Sequence, residues 1–279
     1  MMNKRPARLI LSAFFLAAVF LCPPGHLARA GETARTHEPT IGETFAGEEL
    51  DYDMGFWLFD GVAKGSVRLV KEGDGYVATL SARTTGFARW LRHREDTYTA
   101  RMEEAEGGHR LRTLSFEKDV LLGSRRTRIL TVIDYKKRVV RTEKWKDGVP
   151  GETDEFPMPP GVVYYDDPLA AFYNFRRGAY GEIGEGRQYR IKTFPRGKDK
   201  EVEMSLSIAT AGEFKRRAGD GETGYLADAN LAKELFGSAS GDIEITFTRE
   251  LVPIRAVAKD ILLFGDIRAS LVNQEKIKK

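Results

Sequence analysis

Cysteine is almost missing from this chain: there is one, Cys22, in 279 residues, and it sits at the end of an apolar N-terminal run. Beyond it the chain has no disulfide, no thiol nucleophile and no cysteine ligand for zinc. Histidine is nearly as scarce. His37, His93 and His109 are scattered among polar residues, none with a second histidine at metal-binding spacing. The one glycine-dense stretch, Gly181 to Gly186, is acidic and lacks the lysine of a phosphate loop, and there is no G-x-S-x-G elbow. The expectation is therefore no cofactor, no metal and no assignable catalytic residue.

A dominant charge is missing too. The first thirty residues hold four basic and no acidic side chains, which leaves 40 basic against 41 acidic in the remainder, a net charge of −1. A near-neutral body argues against nucleic acid as a partner, since that needs a domain-wide positive field. After Leu21 no apolar run is long enough to suggest a membrane-spanning helix.

What is present begins with an export signal. Lys4, Arg5 and Arg8 precede an uncharged run from Leu9 to Leu21, which Pro23, Pro24 and Gly25 break. Ala28-Arg29-Ala30 then supplies the small-x-small site of a signal peptidase, so residues 1–30 read as a signal peptide cleaved after Ala30. Bulky Leu21 directly before Cys22 argues against lipidation, and Cys22 leaves with the signal. The expected location is the periplasm, free or peripherally associated with the outer membrane. Residues 31–46 read as a flexible polar leader, 47–272 as a single β-rich domain and 273–279 as a polar tail.

Within the domain the hydrophobic period is two. Leu50, Tyr52, Met54, Phe56 and Leu58 alternate with Asp51, Asp53 and Gly55; Tyr76–Arg83, Val202–Ile208 and Ile243–Phe247 alternate in the same way. Further strands are expected at 62–71, 96–101, 110–117, 127–134, 139–145, 188–194, 253–259 and 265–271. Turn signals at Gly73-Asp74-Gly75, Gly107-Gly108, Tyr135-Lys136-Lys137 and Arg196-Gly197-Lys198 separate several of them. One apolar and one polar face per strand implies antiparallel pairing, and the gaps are too short for crossover helices. The fold class is all-β: a strongly bent antiparallel sheet, an open or partly closed barrel, with one or two short helices. One helix should start at Pro168, capped by Asp167, with Leu169, Phe172 and Tyr173 on its buried face. A second is expected from an Asp228 cap through Leu231 and Leu235 to Gly237. Gly148–Gly161, with four prolines, reads as a linker or long loop.

Three features invite chemistry. Asp166 and Asp167 form an acidic pair such as a hydrolase uses, although capping accounts for Asp167 without catalysis. The basic runs Arg125–Arg128 and Lys136–Arg138 suit anionic envelope phosphates or simply the outer faces of hairpins. Trp57 and Phe59 share the face opposite Phe56 and form a candidate binding patch.

The chain resembles the domain of unknown function 3108 family of exported bacterial proteins over about residues 43–272. The match rests on Gly47-Glu48-Glu49-Leu50-Asp51-Tyr52 with Gly61 and Gly65, on Tyr165–Arg176 with its D-P-L core, and on Pro253-Ile254-Arg255 with Gly265–Leu271. Ala170 stands where the family often has serine, and Gly219–Gly241 is longer than the pattern. The resemblance implies an exported β-rich domain without established activity. It marks Gly47, Glu48, Tyr52, Asp167, Pro168, Leu169, Tyr173, Arg176 and Pro253 as motif residues of structural or binding role. The functional expectation is a non-enzymatic protein that binds a hydrophobic, lipid-like ligand or a cell-envelope partner. The alternatives are an envelope hydrolase using Asp166 and Asp167, or an assembly factor that docks through its aromatic patch.

Overall fold

The period-two alternation resolves into fourteen antiparallel strands in the computed structural model, which describes residues 38–56, 59–195, 202–219, 222–231, 240–261 and 265–276. The signal segment, the cleavage site at Ala30, Trp57 and the turn at Arg196-Gly197-Lys198 lie outside the described residues. A short helix α1 (Ile41–Phe45) precedes β1 (Glu48–Phe56), β2 (Phe59–Glu72) and β3 (Gly75–Thr84). Helix α2 (Gly86–Leu91) leads to β4 (Arg94–Ala105), β5 (Arg110–Leu122), β6 (Arg125–Asp134), β7 (Val139–Lys146) and β8 (Val149–Pro157). Helix α3 (Pro168–Arg177) comes next, then β9 (Gln188–Thr193), β10 (Val202–Ile208) and α4 (Ala211–Ala218). The chain ends in β11 (Tyr225–Asn230), β12 (Asp242–Phe247), β13 (Pro253–Ile261) and β14 (Gly265–Lys276).

All fourteen strands form one sheet, ordered β8-β7-β6-β5-β4-β3-β2-β1-β14-β13-β12-β11-β10-β9. Two meanders are thus joined where β1 pairs with β14, from Glu48 opposite Lys276 to Phe56 opposite Ile267. The free edges are β8 and β9, and no ladder joins them among the described residues, so the barrel is not closed. The curl of the sheet is explained by α3. Seven of its ten residues are buried, among them Leu169, Tyr173, Asn174, Phe175 and Arg176. A helix apolar over most of its circumference must be surrounded. Leu169 and Tyr173 pack with β2–β7, Phe175 packs with β9–β12, and Phe172 reaches the β1–β14 junction.

Local chemistry fixes both ends of α3. The Asp167 carboxylate accepts from Leu169 N (2.7 Å) and Ala170 N (3.2 Å), and Pro168 fills the first helical position. Gly178 terminates it with φ 78°, the left-handed conformation glycine adopts without strain. The Asn174 side chain pairs with the backbone of Leu111 in both directions, each bond 2.8 Å, and so stitches the helix to β5. Arg176 forms a bidentate pair with Glu48 at 2.6 and 2.8 Å, and its Nε donates to Leu251 O at 2.9 Å.

Five parts differ from the sequence expectation, and the first is the polar tail expected at 273–279: residues 273–276 complete β14, paired opposite Glu48–Asp51 of β1. Gly148–Gly161 is no linker for most of its length: Val149–Pro157 is an edge strand paired with β7. Two of its prolines, Pro150 and Pro157, sit near the strand's two ends, which an edge strand tolerates because one row of N–H groups is unpaired anyway. Asp228 caps no helix but lies in β11 opposite Glu244, with its carboxylate on Arg217 at 2.6–2.7 Å. Residues 232–239, where the rest of that expected helix falls, are outside the described residues. The expected flexible leader contains α1, held by a reciprocal Thr40–Glu43 capping box. One Glu104 oxygen further receives Thr40 Oγ1 (2.6 Å), Gly42 N (3.1 Å) and Tyr76 Oη (3.1 Å). Finally, α2 and α4 stand where no helix was expected.

The Glu48–Arg176 pair is the test of this framework. Replacing one partner strands a charge in the core, whereas replacing both removes the burial cost of each. Arg176→Met should lower the unfolding free energy by about 3–5 kcal/mol, and the Glu48→Leu/Arg176→Met double variant should recover much of that. Urea unfolding of both variants beside the parent checks this; equal losses in the single and double variants would show that helix packing, not the charge pair, sets the cost.

Candidate functional site

The inward positions of β1–β3 line up across the sheet: Leu50 with Val67 and Leu80, Tyr52 with Gly65 and Ala82, Met54 with Ala63 and Thr84. Small side chains gather on β2 and β3 beyond the Leu50 row, at Gly65, Ala63 and Ala82. Across the β1–β14 junction, Ala256 and Ala258 of β13 face Ala269 and Ile267 of β14. At the α1 end the space is filled by Ile41, Phe45, Leu69, Met102, Leu111 and Tyr173, all buried. At the opposite end it is not filled.

The result is a cavity of about 320 Å³. Its floor is the Pro168, Leu169 and Phe172 face of α3, and its walls come from β1–β5 and β12–β14, with Leu231 beside them. Most lining side chains are apolar, and the polar ones, exposed Arg83 apart, are largely engaged elsewhere. Tyr52 donates its hydroxyl to Pro253 O (2.9 Å), Arg94 is paired with Asp96 (2.8 Å), and Thr84 hydrogen-bonds the backbone at Arg92 and Arg94. Such a site has shape and hydrophobicity to offer a ligand but few unused hydrogen-bonding groups, and its volume is within the roughly 300–1,000 Å³ of small-molecule pockets.

The acidic pair is elsewhere. Asp166 and Asp167 are 1 % and 0 % exposed and neither lines the cavity. Asp167 receives Thr113 Oγ1 (2.6 Å) in addition to the two helix N–H groups. Asp166 is bound by Arg110, by Tyr180 Oη (2.7 Å) and by Asn174 Nδ2 (3.4 Å). Arg110 in turn lies against the rings of Tyr164 and Tyr180. Burial pushes the Asp166 carboxyl above its ordinary range, against the pull of Arg110, Tyr180 and Asn174. Burial likewise pushes Asp167 up to about 6, with the Thr113 and backbone bonds opposing it. Both carboxylates are therefore buried and held by hydrogen-bond donors, which accounts for them structurally.

The other motif residues serve the frame or the cavity. Gly47 makes the turn from α1 into β1 with φ 86° and donates to Leu69 O (2.7 Å). Glu48 and Arg176 pair, Leu169 and Tyr52 are both core and lining, Pro253 receives the Tyr52 hydroxyl, and Tyr173 is wholly buried, its hydroxyl without a hydrogen-bond partner among the described residues. Phe59, of the candidate aromatic patch, is 57 % exposed and stacks obliquely on Phe56 at 5.8 Å between ring centres. The basic runs are largely neutralised on the outer face. Arg126 pairs with Asp119 (2.8 Å), and Arg128 with Glu117 (2.7 Å) while lying over the Trp145 ring; Lys137 faces Asp134 at 3.6 Å. His93 meets Glu95 (2.8 Å), and among the described residues no three His, Cys, Asp or Glu side chains are grouped to hold a metal. No helix among the described residues is long and apolar enough to cross a membrane.

Sequence reasoning missed two parts of the site: the small residues that hollow out one end, and the aromatic pair Phe87 and Trp90 on α2 at its mouth. The first had a legible trace in the run of Ala and Gly at inward positions of β2, β3, β13 and β14. The second had one in the i, i+3 spacing of two aromatics after Thr85.

Fold and site together define an incompletely closed, barrel-like antiparallel sheet wrapped around one helix, with an apolar cavity at one end. The chain belongs to the protein family of unknown function DUF3108, whose model matches residues 51–272. Among solved structures it is similar to a β-barrel-like DUF1849 protein from Brucella abortus, at 11 % identity over 84 % of this chain and 99 % of that one, TM-score 0.49. It is also similar to a DUF1089 family protein from Pseudomonas aeruginosa, at 13 % identity over 72 % of this chain and 91 % of that one, TM-score 0.32. No curated protein matches it.

The buried pair makes a pH prediction. An acid whose pKa is raised on folding holds its proton more tightly in the native state, so its contribution is present below the unfolded value of 3.8 and is lost as pH rises through about 6. Asp167→Asn keeps a capping oxygen but cannot ionise. The stability of the parent minus that of the variant should therefore fall by up to roughly 3 kcal/mol between pH 4 and pH 6 and level off above. Urea midpoints measured across that range check it; a flat difference would mean that Asp167 is ionised throughout.

Proposed function

We propose that this protein is exported to the periplasm, with its signal peptide removed after Ala30, and that it binds a lipid-like ligand without transforming it. The observation that carries the binding reading is the cavity: an apolar floor on α3, apolar walls from both meanders, and polar neighbours that, apart from exposed Arg83, are largely hydrogen-bonded or ion-paired. A ligand suited to it is largely hydrocarbon, because burying a polar group there without a partner costs more than leaving it in water. An acyl or isoprenoid chain fits that description, with any polar headgroup left at the mouth near Arg94, Asp96 and Arg83. The N-terminal run and the Ala28-Arg29-Ala30 site support the location, since they match what a signal peptidase requires.

The test is native mass spectrometry of protein purified from its own host, with lipid extraction in parallel and N-terminal sequencing to locate the cleavage. A bound lipid in the parent and its loss in Ala256→Phe, which fills the cavity from β13, is the expected result. Melting of the variant should stay close to the parent, because the added ring occupies existing space. A parent that carries no lipid and takes up no fluorescent fatty-acid probe would sink the binding reading, and an N-terminus at Met1 would sink the export reading.

A further inference from the structure

The mouth of the cavity carries a second feature that ligand binding alone does not require. Helix α2 turns Ala88 inward, where it is 8 % exposed and lines the cavity, and turns Phe87 and Trp90 outward, 70 % and 80 % exposed. The two outward rings stack on each other, 5.9 Å between centres with 27° between planes. Phe59, at the neighbouring β1–β2 turn, adds a third exposed ring. Single exposed apolar residues are ordinary, but large aromatics gathered at the lip of an apolar cavity form a surface that gains by being covered.

This lip is fastened rather than loose. Thr85 donates its N–H to Val62 O (2.8 Å) and its hydroxyl to Gly61 O (2.8 Å), which ties the start of α2 to β2. Arg94 N donates to Thr84 Oγ1 (3.0 Å), closing the other side. Arginines outnumber the unpaired acids around the rings. Arg83 and Arg89 are exposed and Arg92 is half-buried, and none of the three forms an ion pair among the described residues. The acids nearby are mostly engaged, Glu95 by His93 and Asp96 by Arg94, with exposed Asp60 the exception.

From this combination we infer that α2, with Phe59 at the start of β2, seats the mouth of the cavity on an anionic lipid surface. Tryptophan with a neighbouring phenylalanine is at home at the headgroup level of a bilayer, and arginines beside them reach the phosphates. The same elements line the cavity, through Ala88 of α2 and Val62 of β2, so a docked protein would pass a hydrocarbon chain between bilayer and cavity without exposing it to water. The inference extends the ligand-binding reading to where the ligand comes from, but it stands or falls on a separate measurement.

That measurement is flotation of the purified protein with vesicles of phosphatidylethanolamine and phosphatidylglycerol, and with phosphatidylcholine vesicles as the neutral control. The parent should float with anionic vesicles. Phe87→Ala/Trp90→Ala should weaken that binding at least about tenfold, and Arg89→Glu/Arg92→Glu should do so by a similar factor while abolishing the preference for anionic lipid. Phe87, Arg89 and Trp90 are exposed and Arg92 is half-buried with no ion pair among the described residues, so urea unfolding of the variants should stay close to the parent. Equal flotation of parent and variants overturns the inference, as does absence of the parent from anionic vesicles. So does a concentration-dependent dimer, seen by light scattering, that the aromatic double variant loses. Lipid retained in the cavity by a protein that does not float would overturn docking while leaving ligand binding intact.

Discussion

The structure depends on holding one helix inside a sheet that does not close. A barrel whose edges pair is kept curved by its own hydrogen bonds; here β8 and β9 are not joined among the described residues, so the curvature must come from what lies inside. That is α3, and the contact that locates it is the buried pair of Arg176 with Glu48. Glu48 opens β1, the strand that joins the two meanders, so one ion pair fixes the helix to the junction around which the sheet is organised. The rings of Phe45 and Phe172 flank the guanidinium at 4.5 and 5.0 Å from their centres and exclude water from it.

A hydrophobic helix alone would be free to slide or rotate inside an apolar sheath, because the hydrophobic effect is non-directional. The polar residues of α3 remove that freedom. Asn174 engages the backbone of Leu111, Asp167 joins the helix N-terminus to Thr113 of β5, and Asp166 is gripped by Arg110 of the same strand. Each bond is of modest net worth, but misplacing the helix would leave several buried polar groups unpaired at once, at about 1–3 kcal/mol apiece. The aspartate pair that looked like chemistry in the sequence is thus an orienting device. Its position explains why a D-P-L-rich segment is the most specific motif of the chain.

How much of this was legible varies with the physics of each part. Strands with one face on the core and one in water announce themselves by period two, and nearly all of them were readable. The Asp167 cap and Pro168 start of α3 were readable because capping is local chemistry. Strand β8 was not: an edge strand with exposed residues on both faces has no alternation to show, and its prolines mimic a loop. Strand β11 was hidden because Asp228 before an apolar pair reads equally as a cap, and only its opposition to Glu244 and Arg217 makes it a strand residue. Helix α1 is five residues long and owes its existence to tertiary bonds, above all Glu104 from β4, sixty positions away in sequence. The cavity was the least legible feature, since it consists of side chains that are not there. An alanine at an inward strand position looks the same whether a neighbour fills the gap or nothing does.

That absence is itself informative. Gly65, Ala63, Ala82, Ala256, Ala258 and Ala269 all line the cavity at positions where a leucine or valine would bury more surface, and each methylene buried is worth about 0.8 kcal/mol. The same sheet shows at its other end that it can be packed, with Leu69, Met102 and Leu111 wholly excluded from solvent. Gly65 marks the boundary between the two regimes. A Cβ there would come within 2.9 Å of the Met54 methyl group, so glycine lets Met54 lie across β2 instead of projecting into the open space. A fold free to close this end with ordinary hydrophobic residues, but carrying alanine and glycine there and aromatic rings on the rim, forgoes packing at the one place where a guest could supply it. The burial missing from the cavity is what a bound hydrocarbon chain would restore, so on the proposed reading stability and ligand affinity would be two measures of the same surface.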